Sequence, residues 1–193
     1  MKFRCAWVVV VLVSVTAPLT AANIVANPGF ETGDFTGWIP GGDTSFTFIS
    51  TTADFVHSGT YGAGFGPFFF DGTLSQSLAT TAGQPYVLSF WLANLGDVPN
   101  HFSVAWDGQV LFSFLDAVSF PYQQHSYNVT ASGPSTAIDF TFYDFPSFLA
   151  LDDVSVDIPA AGNDPLATPE PATLGLLLGG LGMVGIGVLR RRK

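Results

Sequence analysis

The sequence predicts an all-β protein folded as a two-sheet sandwich. Three observations carry this. Short runs rich in Phe, Val, Thr and Tyr recur every 8–15 residues, separated by Gly, Pro, Asn and Asp. No long stretch keeps the 3.6-residue period of an amphipathic helix. Aromatic residues make up 15% of the chain, and Phe alone supplies 19 of its 193 residues, enough bulk to fill the space between two sheets. The pattern occupies residues 23–158, one domain's worth of chain.

Taken in order, strands are expected over 24–31, 44–51, 61–66, 73–80, 85–94, 101–107, 109–115, 123–131, 136–143 and 149–157. Asp107-Gly108 is the clearest hairpin turn, joining "HFSVAW" to "QVLFSF". In "PYVLSFWLAN", Tyr86, Leu88, Phe90 and Leu92 share one face, and Val87, Ser89 and Trp91 the other. In "STAIDFTFYD", Ile138, Phe140 and Phe142 alternate with Asp139, Thr141 and Tyr143. Each reads as a strand with one buried face. Trp38 and Trp106 are expected in the core, Trp106 in phase with Phe102 and Val104. The loops "GPFFFDG" (66–72) and "YDFPSF" (143–148) are expected to pack on each other as a plug. Left exposed, they would form a partner surface.

Charge is distributed unevenly. The six Lys and Arg residues are Lys2, Arg4 and the terminal run Arg190 to Lys193, and of the 15 carboxylates all but Glu170 lie within 23–168. The net charge is −9. No Lys–carboxylate or Arg–carboxylate pair can therefore form in the domain. Nucleic-acid binding, which rests on cations meeting phosphates, is excluded as a function. Clustered carboxylates must be solvated, protonated or bound to a metal. Outside a cell the metal expected is Ca²⁺, a hard cation that takes oxygen ligands.

The ends read as addresses. Lys2 and Arg4 precede the apolar run "AWVVVVLVSV" and the small residues "TAPLTAA", the layout of a secretory signal peptide over 1–22. The lone cysteine, Cys5, leaves with it, so no disulfide can brace the mature chain. At the other end "PAAGNDPLAT" (159–168) reads as a linker, and 172–189 as an apolar span of 18 residues. A helix of that length reaches about 27 Å, just enough to cross a bilayer. Its six glycines weaken it, each costing ~1 kcal/mol of helix propensity. The cations that follow hold that end in the cytoplasm and place the domain outside.

Pro169-Glu170-Pro171, then a Gly/Leu-rich span, then Arg190, Arg191 and Arg192, together resemble the PEP-CTERM sorting signal. The resemblance covers 169–193. It implies a precursor held transiently in the inner membrane of a Gram-negative bacterium and cut near the motif by an exosortase. The mature domain would then reach the cell surface or its matrix. A permanent single-span anchor is the alternative.

A second resemblance joins the two ends of the domain. "NIVANPGFETGDFTGW" and "LALDDVSVDIP", with "HSGTYGAGF" and "GTLSQSLATTAGQPYVLSFWL" between, resemble the galactose-binding-like jelly roll of many carbohydrate-binding modules. That likeness implies a structural Ca²⁺ held by Glu31 and Asp152, with Asp153 beside them and carbonyls of 57–60 completing the shell. It also implies a glycan ligand. Sugars are held by flat aromatic rings with amides and carboxylates around them, so Trp91, Tyr143, Asp139 and His125 are the expected contacts. No catalytic apparatus is legible. His57, His101 and His125 lack metal-ligand spacing, no Ser sits in a nucleophile elbow, and no Gly-rich phosphate loop is present. The reading is a secreted, non-catalytic surface or matrix protein that binds exopolysaccharide. The alternative is a structural protein that packs against its own copies.

Overall fold

The structure, a computed structural model, describes residues 22–96 and 98–159. The expected signal peptide (but for Ala22), nearly all of the linker, the sorting motif and the span 172–189 lie outside the described residues. Among those residues no helix is long and apolar enough to cross a membrane.

Ten strands form two five-stranded sheets. They are β1 (Ile39–Gly42), β2 (Thr47–Ser50), β3 (Gly62–Phe65), β4 (Gly72–Ala79), β5 (Pro85–Asn94), β6 (Asn100–Trp106), β7 (Gln109–Leu115), β8 (Phe120–Thr130), β9 (Ser135–Asp144) and β10 (Leu149–Asp157). The first sheet runs β1-β4-β9-β6-β7 and the second β2-β3-β10-β5-β8. This is the expected all-β jelly-roll sandwich. The chain crosses repeatedly between the sheets, only β2–β3 and β6–β7 being consecutive within one, and β10 sits at the centre of the second sheet, between β3 and β5.

The alternation in β5 and β9 sets the core. Tyr86, Leu88, Phe90 and Leu92 are buried, as are Ile138, Phe140 and Phe142 from the facing sheet. Phe90 meets Phe140 edge-on at 5.4 Å, and Phe65 lies 4.1 Å from Phe142. Full burial of each Phe contributes about 2–3 kcal/mol. Trp38 and Trp106 are core residues, as expected. The Asp107-Gly108 turn has positive φ at both positions, 51° and 76°, the primed geometry whose twist matches the flanking strands.

The first expected strand, 24–31, is instead an irregular segment. It lies along β10, with Ile24 N–H donating to the Val156 carbonyl at 3.0 Å and Val154 N–H to the Pro28 carbonyl at 2.9 Å. Asn27 (φ 48°) and Phe30 (φ 57°) turn the chain out of the extended conformation, so a ladder cannot continue. Conversely, "IPGG", which lies outside the expected strands, pairs with β4 as an edge strand, a place where Pro is tolerated. The two Phe-rich loops do touch, Phe68 standing edge-on to Phe145 at 4.4 Å. They do not close into a plug, because Phe69 and Phe70 remain 74% and 61% exposed.

Candidate functional site

The outward residues of β9 include Asp139, Thr141 and Tyr143. In register with Tyr143 across the ladder is His101 of β6, and the two rings lie parallel, 5.6 Å apart at 12°. His101 Nε2 is 3.0 Å from Asp71 Oδ1. Asp71 closes the Phe-rich loop, and Phe69, Phe70, Asp71, Asn100, His101, Asp116 and Tyr143 line a hollow of about 280 Å³. The loop itself is held. Phe68 and Phe69 N–H donate to Asp43 Oδ2 at 3.0 and 2.7 Å, and Ser45 N–H to Asp43 Oδ1 at 2.9 Å. Those bonds, that from Phe69 foremost, hold Asp43 ionised well below the usual carboxylate range. The exposed phenyl rings are thus set on a fixed support.

Of the four sugar contacts expected from sequence, only Tyr143 borders this hollow. Asp139 is on the same outer face but further up the sheet, between Ser75 and Ala105. Trp91 is on the outer face of the other sheet, where the His57 ring stacks on it at 3.7 Å and 16°. His125 lies opposite Phe90 in register and stacks on that ring at 5.2 Å. Its Nε2 is buried without a partner, and burial lowers its pKa. The four therefore occupy three separate surfaces. A larger groove of about 420 Å³ runs past Asp54, Asn94, Phe120 and Tyr122. Tyr122 donates its hydroxyl to the Phe55 carbonyl at 2.7 Å, and burial, with the charges of Asp152 and Asp153, pushes its pKa up. This groove has one carboxylate, Asp54, against Asp71 and Asp116 in the smaller hollow, and no parallel ring pair like His101–Tyr143 among its lining residues.

Sequence reasoning passed over His101, Asp71 and Phe70. The phase of β6, with Phe102, Val104 and Trp106 inward, already turned His101 outward. What could not be read was the register that sets His101 beside Tyr143 and near the 66–71 loop.

The three expected metal ligands do gather. Asp152 is fully buried. Its Oδ2 accepts from His57 N–H at 2.8 Å and Ser58 N–H at 3.1 Å, and its Oδ1 from Asp153 N–H at 2.7 Å. Glu31 Oε1 accepts from Thr60 and Tyr61 N–H at 2.9 and 3.1 Å. Asp153 bonds His57 Nδ1 at 2.6 Å and Ser58 Oγ at 2.8 Å. Together the three carboxylates clasp the 57–61 loop. Gly59 has φ +71° and faces Glu31 so closely that a Cβ would run into the carboxylate. Burial pushes the Asp152 pKa up to about 6 despite the three N–H donors. The oxygen-only donor set suits Ca²⁺ in kind. Its arrangement is that of a hydrogen-bonded clasp, and among the described residues no three acidic or histidine side chains stand where one ion would touch all of them.

Comparison with known proteins bears first on the tail. Residues 167–193 match the PEP-CTERM protein-sorting motif. The motif marks a secreted precursor, anchored at the membrane and processed by an exosortase. Among curated proteins none matches the chain. Over the domain the fold is similar to that of the module TmCBM61, solved in complex with beta-1,4-galactotriose, with TM-score 0.58 and 22% identity over 70% of this chain and 98% of that one. It is also similar to the CBM22-1 xylan-binding domain of Paenibacillus barcinonensis Xyn10C, with TM-score 0.50 and 13% identity over 76% of this chain and 100% of that one. A third similar fold is the K3 cleaved adhesin domain of Lys-gingipain from Porphyromonas gingivalis, with TM-score 0.51 and 17% identity over 72% of this chain and 98% of that one. At these identities the likeness is one of fold: a jelly roll of the kind carbohydrate-binding modules use.

Proposed function

We propose that this protein is an exported, non-catalytic glycan-binding module, and that the hollow between Phe70 and Tyr143 is its glycan site. The observation that carries this is the hollow's lining. Parallel aromatic rings and two carboxylates converge on a space of about 280 Å³. A sugar ring offers an apolar face to stack and hydroxyls to bond, and this lining answers both. The carboxylates accept hydrogen bonds from sugar hydroxyls, and Asp71 is steadied by His101. Nothing cationic but the histidines faces the ligand, which favours neutral sugars over polyanionic ones. The test is retention of the full chain on a panel of insoluble and soluble polysaccharides. Retention on at least one, competed by its soluble fragments, is expected. The alternative of a self-associating surface protein is favoured by the uncharged edge strand β7, which exposes Val110 and Leu115. It predicts no retention, with assembly that grows with protein concentration.

The sorting motif gives a second expected result. The precursor spans the inner membrane of a Gram-negative bacterium with its domain in the periplasm, and the tail is removed on the way to the surface. Intact-mass analysis of surface-extracted protein should show a species lacking Arg190 to Lys193. A bulk surface species that retains them indicates a permanent anchor.

Ca²⁺ at the clasp belongs to the same reading. Its support is the oxygen-only set of Glu31, Asp152 and Asp153 in a domain without Lys or Arg. Occupancy requires Asp153 to turn from His57 towards the ion. Removing Ca²⁺ with EDTA should then lower the melting temperature of the full chain by several degrees, and Ca²⁺ should restore it. If Glu31→Gln, which keeps the clasp's shape, leaves that response unchanged, the clasp is not the site.

A further inference from the structure

The inward series of β9 runs Thr136, Ile138, Phe140, Phe142 and ends on a carboxylate, Asp144, which is fully buried. Among the described residues neither of its oxygens has a hydrogen-bond partner. The other two buried carboxylates show what this fold does when it buries a charge. Asp43 and Asp152 each accept three backbone N–H bonds. At Asp144 no donor is supplied, and the domain contains no Lys or Arg that could supply one.

Two side-chain amides stand at the same end of the core. Asn100 of β6 is the ladder partner of Asp144, and Asn94 ends the inward series of β5; both are buried to 1% exposure. Their amide N–H groups serve other acceptors. Asn94 Nδ2 donates to the Ala117 and Val118 carbonyls at 3.1 and 3.3 Å, and Asn100 Nδ2 to the Ala117 carbonyl at 2.8 Å. Among the described residues Asn94 Oδ1 accepts from Gly96 N–H alone, at 3.2 Å, which leaves it a second lone pair. Gly96 lies directly against the carboxylate, since a Cβ there would stand 3.6 Å from Asp144 Oδ1 and overlap Ser147.

We infer that Asp144 is the anchoring ligand of a second cation site, for Ca²⁺, at this end of the sandwich, with the Asn94 side-chain oxygen beside it. An ionised carboxylate buried without donors is very costly. A proton would cancel the charge, but its O–H could serve only one acceptor, such as Asn94 Oδ1, and would leave the other carboxyl oxygen without a partner. A hard cation engages both oxygens at once and uses the lone pair that Asn94 Oδ1 keeps. Separation from the clasp is clear in sequence and in the fold: Asp144 belongs to the first sheet, whereas Asp152 and Asp153 lie in β10 of the second.

The experiment compares wild-type, Asp144→Asn and Asp152→Asn full chains in detergent, by thermal melting in EDTA and in millimolar Ca²⁺, with Ca²⁺ stoichiometry from calorimetry. In EDTA at about pH 8, where the carboxylate is ionised, Asp144→Asn should melt several degrees above wild-type, because an uncompensated buried charge is gone. In Ca²⁺ the order should reverse, since only wild-type gains the ion. Asp144→Asn should bind one Ca²⁺ fewer, and Asp152→Asn should keep this site. If Asp144→Asn folds poorly, Asp144→Ser serves for the count. Equal Ca²⁺ stoichiometry in wild-type and the Asp144 variants, or a wild-type melting order that Ca²⁺ does not change, overturns the inference.

Discussion

Asp152→Ala should lower the melting temperature by about 10 °C or more, taking about 2–4 °C per kcal/mol for a domain near this size. Three N–H groups, those of His57, Ser58 and Asp153, lose their acceptor together. Each buried donor left unmade costs about 1–3 kcal/mol. The opposing effect is real: burial has already pushed the Asp152 pKa up to about 6, so part of the carboxylate's desolvation cost is recovered on its removal. The three orphaned donors outweigh it, because they stay in place after the side chain has gone. The 57–61 loop also carries His57, whose ring covers Trp91, so near-ultraviolet circular dichroism and Trp fluorescence should change with it. Asp152→Asn, which keeps Oδ1 for Asp153 N–H, should lose about half as much. A fall of under about 3 °C for the alanine variant, well below one kcal/mol per orphaned donor, contradicts the clasp.

In EDTA, stability should rise as pH falls from about 7.5 to about 4.5. Burial holds Asp144 up at about 7 and Asp152 at about 6, both above the ordinary 3.8. Between those values the folded chain binds more protons than the unfolded one, so acid favours folding and the gain is complete below the unfolded pKa. At about 1.4 kcal/mol for each tenfold change in proton affinity, the ceiling is several kcal/mol, which is on the order of 10 °C in melting temperature. Asp34 and Asp43 act oppositely. Hydrogen bonds lower both, so their contribution is present above the ordinary carboxylate range and is lost below it. Together these set an optimum near pH 4–5. Thermal melts across pH check this, and Asp144→Asn should flatten much of the slope. Stability that falls steadily from pH 7 downward contradicts it.

The fold was legible where period-2 alternation is strong. β5 and β9 each carry three or four apolar residues in phase, and both appear with the expected faces. Legibility failed where backbone conformation overrides composition. "NIVANPGFE" looks extended, yet Asn27 and Phe30 have positive φ; "IPGG" carries no strand pattern, yet it is satisfied as an edge strand. The carboxylate group around the 57–61 loop was legible, because Glu31 and the Asp152-Asp153 pair stood out in a domain without cations. The hollow was not, since it joins the 66–71 loop, the start of β6 and the end of β9, and only sheet register brings them together. Asp144 lay in plain phase with Ile138, Phe140 and Phe142, but alternation alone does not say whether a buried acid is given donors.

The central claim is that this jelly roll binds glycan through the Phe70–Tyr143 hollow. The direct measurement is the affinity of full-length wild-type, Tyr143→Ala and Trp91→Ala chains for the polysaccharide retained best in the panel. The account predicts that Tyr143→Ala weakens binding at least tenfold, about 1.4 kcal/mol. Trp91→Ala should leave affinity within about twofold, roughly 0.4 kcal/mol, because its ring packs against His57 on the other sheet. Wild-type chain retained by no polysaccharide, or Tyr143→Ala binding as tightly as wild-type, contradicts it.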